Sequence, residues 1–296
     1  MIGGRHQPVL SAECLEWLIP PKTGGLMIDG TVGDGGHAEQ FLDLYPSLSL
    51  IAVDVDEKML SRARQNLGRF GDRVEFEHGW FTDVVARRSS LAQLVLLDLG
   101  LASYHYDSSC RGFSFNRDEP LDMRLSNNIS RTAADFLNEE PETVLSDMFF
   151  HYGNERYSRR IAQAVVEQRV KCPFRTSGEM EKVIWRCYPR KQRHGRIHPA
   201  TRTFQALRIA VNDEIKRLED GLALALRQLD KGGRLGVIAF HSIDDRLVKH
   251  RLRQASISNG SCLELLTKRP LRPTLAEVHR NPRARSARLR IAARGK

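Results

Sequence analysis

Long hydrophobic runs are missing from this 296-residue chain, and no apolar stretch reaches the roughly 18 residues that a membrane span needs. The first residues, MIGGRHQPVLSAECL, also lack the charged-then-apolar design of a signal peptide. Cysteine is scarce: Cys14, Cys110, Cys172, Cys187 and Cys262 are scattered, odd in number and never form C-x-x-C. That argues against a disulfide framework or a zinc knuckle and for reduced thiols in a cytosolic protein. The ten histidines never form H-x-x-x-H beside an acid, so no metal centre is expected. Acid is missing locally as well. Between Val183 and Asn212 there are seven Arg/Lys and no Asp or Glu, and between Lys268 and Lys296 ten Arg/Lys face the single acid Glu277. With a net charge of +10, two such clusters fit a polyanionic partner, because neutralising phosphates releases counterions. A solvated basic surface is the plainer alternative for either cluster alone.

What is present reads first as α/β. Short apolar runs at Leu26–Asp29, Leu48–Asp54, Val74–His78 and Leu94–Leu99 alternate with helical stretches, the pattern of a parallel sheet. Each run ends in or beside a polar residue, where the carboxyl end of a strand opens toward a ligand. From about Arg111 to Pro199 the strand signal stops. Helices are expected at Thr132–Leu137, Glu142–His151, Glu155–Gln168 and Ser177–Cys187, the last with capping-box spacing between Thr176 and Glu179. The α/β pattern then resumes. One long, bent helix is expected over Thr201–Leu229, capped at Gly232–Gly233, followed by a strand at Arg234–Phe240, a helix at Asp244–Gln254 and a short strand at Leu289–Ala292. The arginine-rich Asn281–Ser286 stretch is expected to order only on its partner.

The segment Asp29-Gly-Thr-Val-Gly-Asp-Gly-Gly-His37 follows the first strand and precedes a helix. Its glycines let backbone come close to a ligand, and the helix start offers free N–H groups to an anion. Gly33–Ala38 also fits the dinucleotide pattern G-x-G-x-x-A. The charges argue otherwise. Asp29, Asp34, Asp54 and Asp98 all fall at strand ends or in this loop, where they would repel a pyrophosphate and welcome a sulfonium with its ammonium group. A cationic cofactor that carries adenosine and a carboxylate is S-adenosylmethionine.

The segments HQPVL (from residue 6), DGTVGDGGH (29), LLDLG (96), RGFSFNRDEPLDMR (111), YGNERYSRRIA (152), HPATRTFQALRI (198), GGRLGVIAFHSIDDR (232) and NPRARSARLR (281) carry a resemblance over nearly the whole chain. In this order they are similar to the bacterial family that methylates N4 of a cytosine in small-subunit ribosomal RNA. The resemblance implies a Rossmann-like methyltransferase domain at 1–111 and 199–296, with an inserted helical substrate-recognition domain at 112–198. It implies a cytoplasmic enzyme acting on a cytidine in the decoding region of 16S rRNA, as free RNA or in the small subunit, and as a monomer or a homodimer. Cofactor contacts are implied at Gly35, Gly36, His37, Asp54, Phe81 and Asp98. The family's further contact is a glutamine in an S-S-P-Q stretch. This chain has Ala102-Ser-Tyr-His105 there, so the contact would fall to His105, in a turn that has lost its proline.

Four sets of residues keep more than one reading. Asp98 would sit beside the methyl donor and act on the target amine, bind only the cofactor amine, or cap the next turn. Tyr104 and Tyr106 would stack on the cytosine or simply pack, while His241, with Ser242, would accept a proton or serve the core. Arg111, Arg117 and Arg124 would meet RNA or pair with Asp118, Glu119 and Asp122; Arg190, Lys191, Arg193, Arg196 and Arg202 are assigned to the RNA backbone.

Overall fold

The computed structural model describes residues 8–22, 24–258 and 262–295; the start of the HQPVL segment, His6 and Gln7, lies outside them. The chain forms two compact units, one made of the residues up to Gly100 and from Lys216 on, the other of Leu101–Ile215.

The first unit holds α1 (Ser11–Trp17), β1 (Gly24–Asp29), α2 (Gly36–Leu44), β2 (Ser47–Asp54), α3 (Glu57–Leu67), β3 (Val74–His78), α4 (Phe81–Ala86) and β4 (Ala92–Leu99). Seven strands make one Rossmann-like sheet, completed after the second unit by β5 (Leu229–Ala239), β6 (Leu263–Leu265) and β7 (Arg288–Arg294), in the order β3-β2-β1-β4-β5-β7-β6. The first five strands run parallel and β7 lies antiparallel between β5 and β6. Strand order reverses between β1 and β4, and an open α/β sheet binds its ligand in the crevice at such a reversal.

Both faces of the sheet are covered, which is why its strands read as continuous apolar runs rather than alternating ones. Met27, Leu50, Leu94 and Leu96 point to a face packed by Phe41, Leu60 and Leu67. Ile28, Ile51, Val53, Val95 and Leu97 point to the other, packed by Phe81, Leu218, Leu222 and Val248.

The second unit holds α5 (Ser103–Asp107), α6 (Ala133–Glu139), α7 (Glu142–Gly153), α8 (Ser158–Lys171), α9 (Ser177–Cys187), the single turn α10 (Arg190–Arg193) and α11 (Ala200–Asn212). The capping box expected at Thr176 and Glu179 is present, and Thr132 with Asp135 forms a second one. The expected boundary after residue 198 falls elsewhere. Phe204, Leu207 and Val211 of α11 pack with Leu145, Phe149 and Ile184, so α11 belongs to the helices and not to the sheet.

Nor is Thr201–Leu229 one helix. Asp213 is left-handed at φ 49°, separating α11 from α12 (Glu214–Gln228); Asp and Asn tolerate that conformation better than most side chains. The expected glycine cap is absent too, because β5 already begins at Leu229. Gly232–Gly233 lie where the pairing of β4 with β5 shifts register, and a Cβ on Gly233 would stand 2.9 Å from the Ala92 carbonyl oxygen. Beyond β5 come α13 (Ser242–Ile257) and α14 (Leu275–Arg280). Within the arginine-rich stretch, Pro282–Ser286 is a 3₁₀ turn, capped by Asn281 and with Ala284 buried.

Candidate active site

The site grows from the carboxyl ends of β1, β2 and β4. Asp29 pairs with Ala52 of β2 and with Leu96 of β4, so Asp54 and Asp98 each lie two residues farther along their own strands. The loop after β1 is sewn to both neighbours: Gly30 N donates to the Leu96 carbonyl at 2.9 Å and Val32 N to the Val53 carbonyl at 2.8 Å. Asp54 then holds the loop in shape, its carboxylate accepting from Gly33 N and Asp56 N, both at 2.8 Å. Gly33 (φ 59°) and Gly35 (φ 91°) take the left-handed turns that let the chain enter α2 at Gly36.

Two residues that the sequence reading passed over complete this scaffold. Thr31 Oγ1 accepts the Asp98 backbone N–H at 2.7 Å, and Asn66 Nδ2 donates to the Asp34 carbonyl at 2.8 Å. Thr31 was visible as the one hydroxyl in the glycine loop; nothing marked Asn66, which arrives from α3.

Electrostatically the cluster is strained. Burial pushes the Asp29 carboxyl up to about 8, helped by repulsion from Asp98 and Asp54 and opposed by the Thr31 backbone N–H. Desolvation pushes Asp98 up to about 7, although 26% of its side chain remains exposed. The two observations agree at the level of atoms. Oδ1 is sealed off with no hydrogen-bond partner among the described residues, while Oδ2 lies 4.0 Å from His37 Nε2. Cys14 of α1 feels the same charges, its thiol pushed up by burial and then by Asp98.

Other expected site residues have different surroundings. The Phe81 ring is buried among Val84, Leu97 and Leu218, and a Cβ on Gly30 would strike it at 2.6 Å, so packing is its visible role. His241 caps α13: Asp244 N–H points at Nδ1 (3.4 Å), and Nε2 lies 2.8 Å from the buried Asp244 carboxylate. Its imidazole is thereby engaged with one acid, which favours the core reading over a proton acceptor. In the helical unit, His105 is buried with its ring edge-on to Phe113 at 5.6 Å. Tyr104 meets His105 edge-on, and Tyr106 packs against the helical core.

The arginines after residue 110 are largely internal. Arg124 grips Asp122 with two nitrogens (2.7 and 2.8 Å), Arg111 donates to the Arg124 carbonyl, and Arg117 to the Asp107 carbonyl. Buried Glu119 accepts from Gly112 N, and Asn212 ties this knot to α11 through Leu125 N and the Met123 carbonyl. Among the described residues, no group of three or more His, Cys, Asp or Glu is placed to hold a metal ion, and no helix is long and apolar enough to cross a membrane.

Residues 3–295 match the model of the MraW methylase family. The chain belongs to the MraW methylase family. A relative from Treponema denticola, called ribosomal RNA small subunit methyltransferase H, is 45% identical over 303 residues, covering 97% of this chain and 96% of that one. One of the same name from a Nostoc species is 47% identical over 287 residues, covering 97% and 92%. Among solved structures, an rRNA methylase from Streptococcus thermophilus aligns over 97% of this chain and 94% of its own, with 10% identity and a TM-score of 0.42. As an MraW methylase the chain draws its methyl group from S-adenosylmethionine. The residues fit that cofactor. A sealed, unpartnered oxygen on Asp98 at the sheet's reversal point, with Asp29 as a second carboxyl that resists ionisation, is an environment that a bound cation relieves.

Proposed function

We propose that this MraW methylase transfers the methyl group to N4 of one cytidine in the decoding region of 16S rRNA, in the cytoplasm, with the helical unit recognising the substrate. The observation that carries the site assignment is the unpartnered Asp98 Oδ1 at the end of β4. The choice of RNA and of the N4 atom rests on the resemblance of the quoted segments and on the names of the relatives.

S-adenosylmethionine supplies an electrophilic methyl group on a positively charged sulfur. The chain's own part is positioning and electrostatics. The N–H groups at the start of α2, from Gly36 and His37, would meet the cofactor's carboxylate, aided by the close approach of backbone at Gly35. Asp54, besides bracing the loop, would accept the ribose hydroxyls. Asp98 would accept a hydrogen bond from an amine, either the cofactor's own or the cytosine N4, whose conjugated lone pair must localise before it can attack. Phe81 and His105 complete the set by resemblance. Basic residues of the helical unit would hold RNA phosphates while the base leaves its stack.

The test is a transfer assay with labelled S-adenosylmethionine and small ribosomal subunits from cells lacking the enzyme, followed by digestion to nucleosides and mass spectrometry. Label in N4-methylcytidine is the expected result. Label on another atom or nucleoside would remove the N4 assignment, and no label on subunits or free rRNA would remove the substrate.

A further inference from the structure

The basic stretch after α9 does not consist of equivalent charges. Trp185 near the end of α9 is the post around which the next dozen residues wrap. The His198 ring stacks on it at 5.4 Å and 26°, and Phe115 also stacks on His198, at 4.4 Å and 20°. His194 meets Trp185 edge-on at 5.4 Å, and the Arg193 guanidinium lies 5.9 Å over the same ring. Arg193 also closes the loop internally: its Nε donates to the Tyr188 carbonyl at 3.0 Å and a terminal nitrogen to the Arg186 carbonyl at 3.4 Å. A second clasp holds α10. Gln192 accepts from Tyr157 Oη at 2.8 Å and from Arg156 at 2.9 Å, while Tyr188 Oη donates to fully buried Glu155 at 2.5 Å.

Four cations are left on the outside of this frame. Arg186, Arg190, Lys191 and Arg196 are exposed, none is within ion-pairing distance of a carboxylate among the described residues, and no acid occurs in the sequence from Val183 to Asn212. A solvated surface needs no such frame.

We propose that the loop from Arg186 to Arg196 is a pre-shaped clamp for a single-stranded RNA backbone, with Arg186, Arg190, Lys191 and Arg196 contacting phosphates and Trp185, His198 and Arg193 acting as positioning residues. The proposal rests on the RNA reading given above and adds which charges touch the partner and what holds them. Preorganisation is the physical advantage: four cations already spaced by a ring stack bind without first ordering a loop.

The test uses the full-length protein and fluorescently labelled oligocytidylate, titrated across salt, together with methyl transfer to small subunits. Replacing all four outer cations by glutamine should flatten the slope of log affinity against log salt by roughly 3, since each phosphate neutralised on a single strand contributes about 0.7. W185A removes no charge, yet it should weaken RNA binding by roughly tenfold, the cost of re-ordering one or two loop residues. W185F should restore most of that, and neither change should alter affinity for S-adenosylhomocysteine, which reports that the sheet unit is intact. An unchanged salt slope in the quadruple variant, with a wild type that methylates subunits normally, would overturn the clamp and leave the enzyme assignment standing. Equal RNA affinity of W185A and wild type would overturn the positioning role. A wild type that binds neither oligocytidylate nor subunits would overturn the clamp together with the RNA reading.

Discussion

Asp98→Asn should make the protein without cofactor more stable and the cofactor bind less well. The carboxyl titrates at about 7 in the fold against an ordinary 3.8. A carboxyl raised in this way stabilises the native state least at high pH: the fold binds more protons than the unfolded chain between those two values, so stability falls as pH rises through the window. At about 1.4 kcal/mol per pH unit the cost above pH 7 has a ceiling of about 4 kcal/mol. Because 26% of the side chain is exposed, about half of that is a fair expectation, roughly 2 kcal/mol. Asparagine keeps the shape and drops the charge, so the sheet unit's unfolding midpoint should rise by about 4–8 °C at pH 8. The gain should shrink by more than half at pH 5, where most of the titration in the fold has not yet taken place. Binding should move the other way. A hydrogen bond to a charged acceptor contributes about 1.5–3 kcal/mol, so the variant should bind S-adenosylmethionine roughly 10- to 150-fold more weakly. Scanning calorimetry at the two pH values and titration calorimetry with the cofactor measure both. A variant no more stable than wild type at pH 8, or a gain of equal size at pH 5, would refute the claim that Asp98 is held in an environment unfavourable to its charge.

The same carboxyls predict a pH dependence of binding. With Asp29 near 8 and Asp98 near 7, a cation must displace protons below those values, so affinity for S-adenosylmethionine should rise from pH 6 to pH 8. Its neutral-sulfur product, S-adenosylhomocysteine, should show a shallower rise; parallel slopes for the two ligands would mean that the sulfonium charge is not read by this cluster. On α13, beside β7, Asp245→Ala should cost about 3–5 kcal/mol in urea unfolding, because it strands a buried cation. Burial would raise the Asp245 carboxyl, but Arg290 Nε at 2.7 Å and Arg288 at 2.8 Å outweigh it and hold it below its ordinary value. A loss under 1 kcal/mol would show that water reaches Arg290 freely. Gly153→Ala should loosen the helical unit by about 1–3 kcal/mol, since its Cβ would stand 2.5 Å from the Arg202 carbonyl oxygen, a backbone atom that no rotamer change can move. Circular dichroism melting checks it, and a neutral result would mean that α7 and α11 separate without cost.

The sequence by itself determined every parallel strand to within a few residues, the two-faced burial behind their apolar runs, the cap of α9 and the acidic glycine loop. Each of these is a local property: side-chain period, a hydroxyl three residues before a glutamate, glycine where φ must be positive. The same holds for the long segments that carry the family resemblance, which are contiguous stretches of chain. The tertiary structure decided whatever depended on a distant partner. Nothing in Thr201–Leu229 announces that Asp213 turns left-handed, because a helix continues or breaks according to which core each half can reach. Composition around residue 111 could not tell an RNA-facing arginine from one bound to its own carboxylate, and only folding showed Arg124 closed on Asp122. His241 looks like a ligand-edge residue in the chain, yet its imidazole is held by Asp244. Asp98 is the opposite case. Its position at a strand end was legible, but the sealed oxygen with no partner, on which the proposed site rests, exists only once β1, β4 and the glycine loop have closed around it.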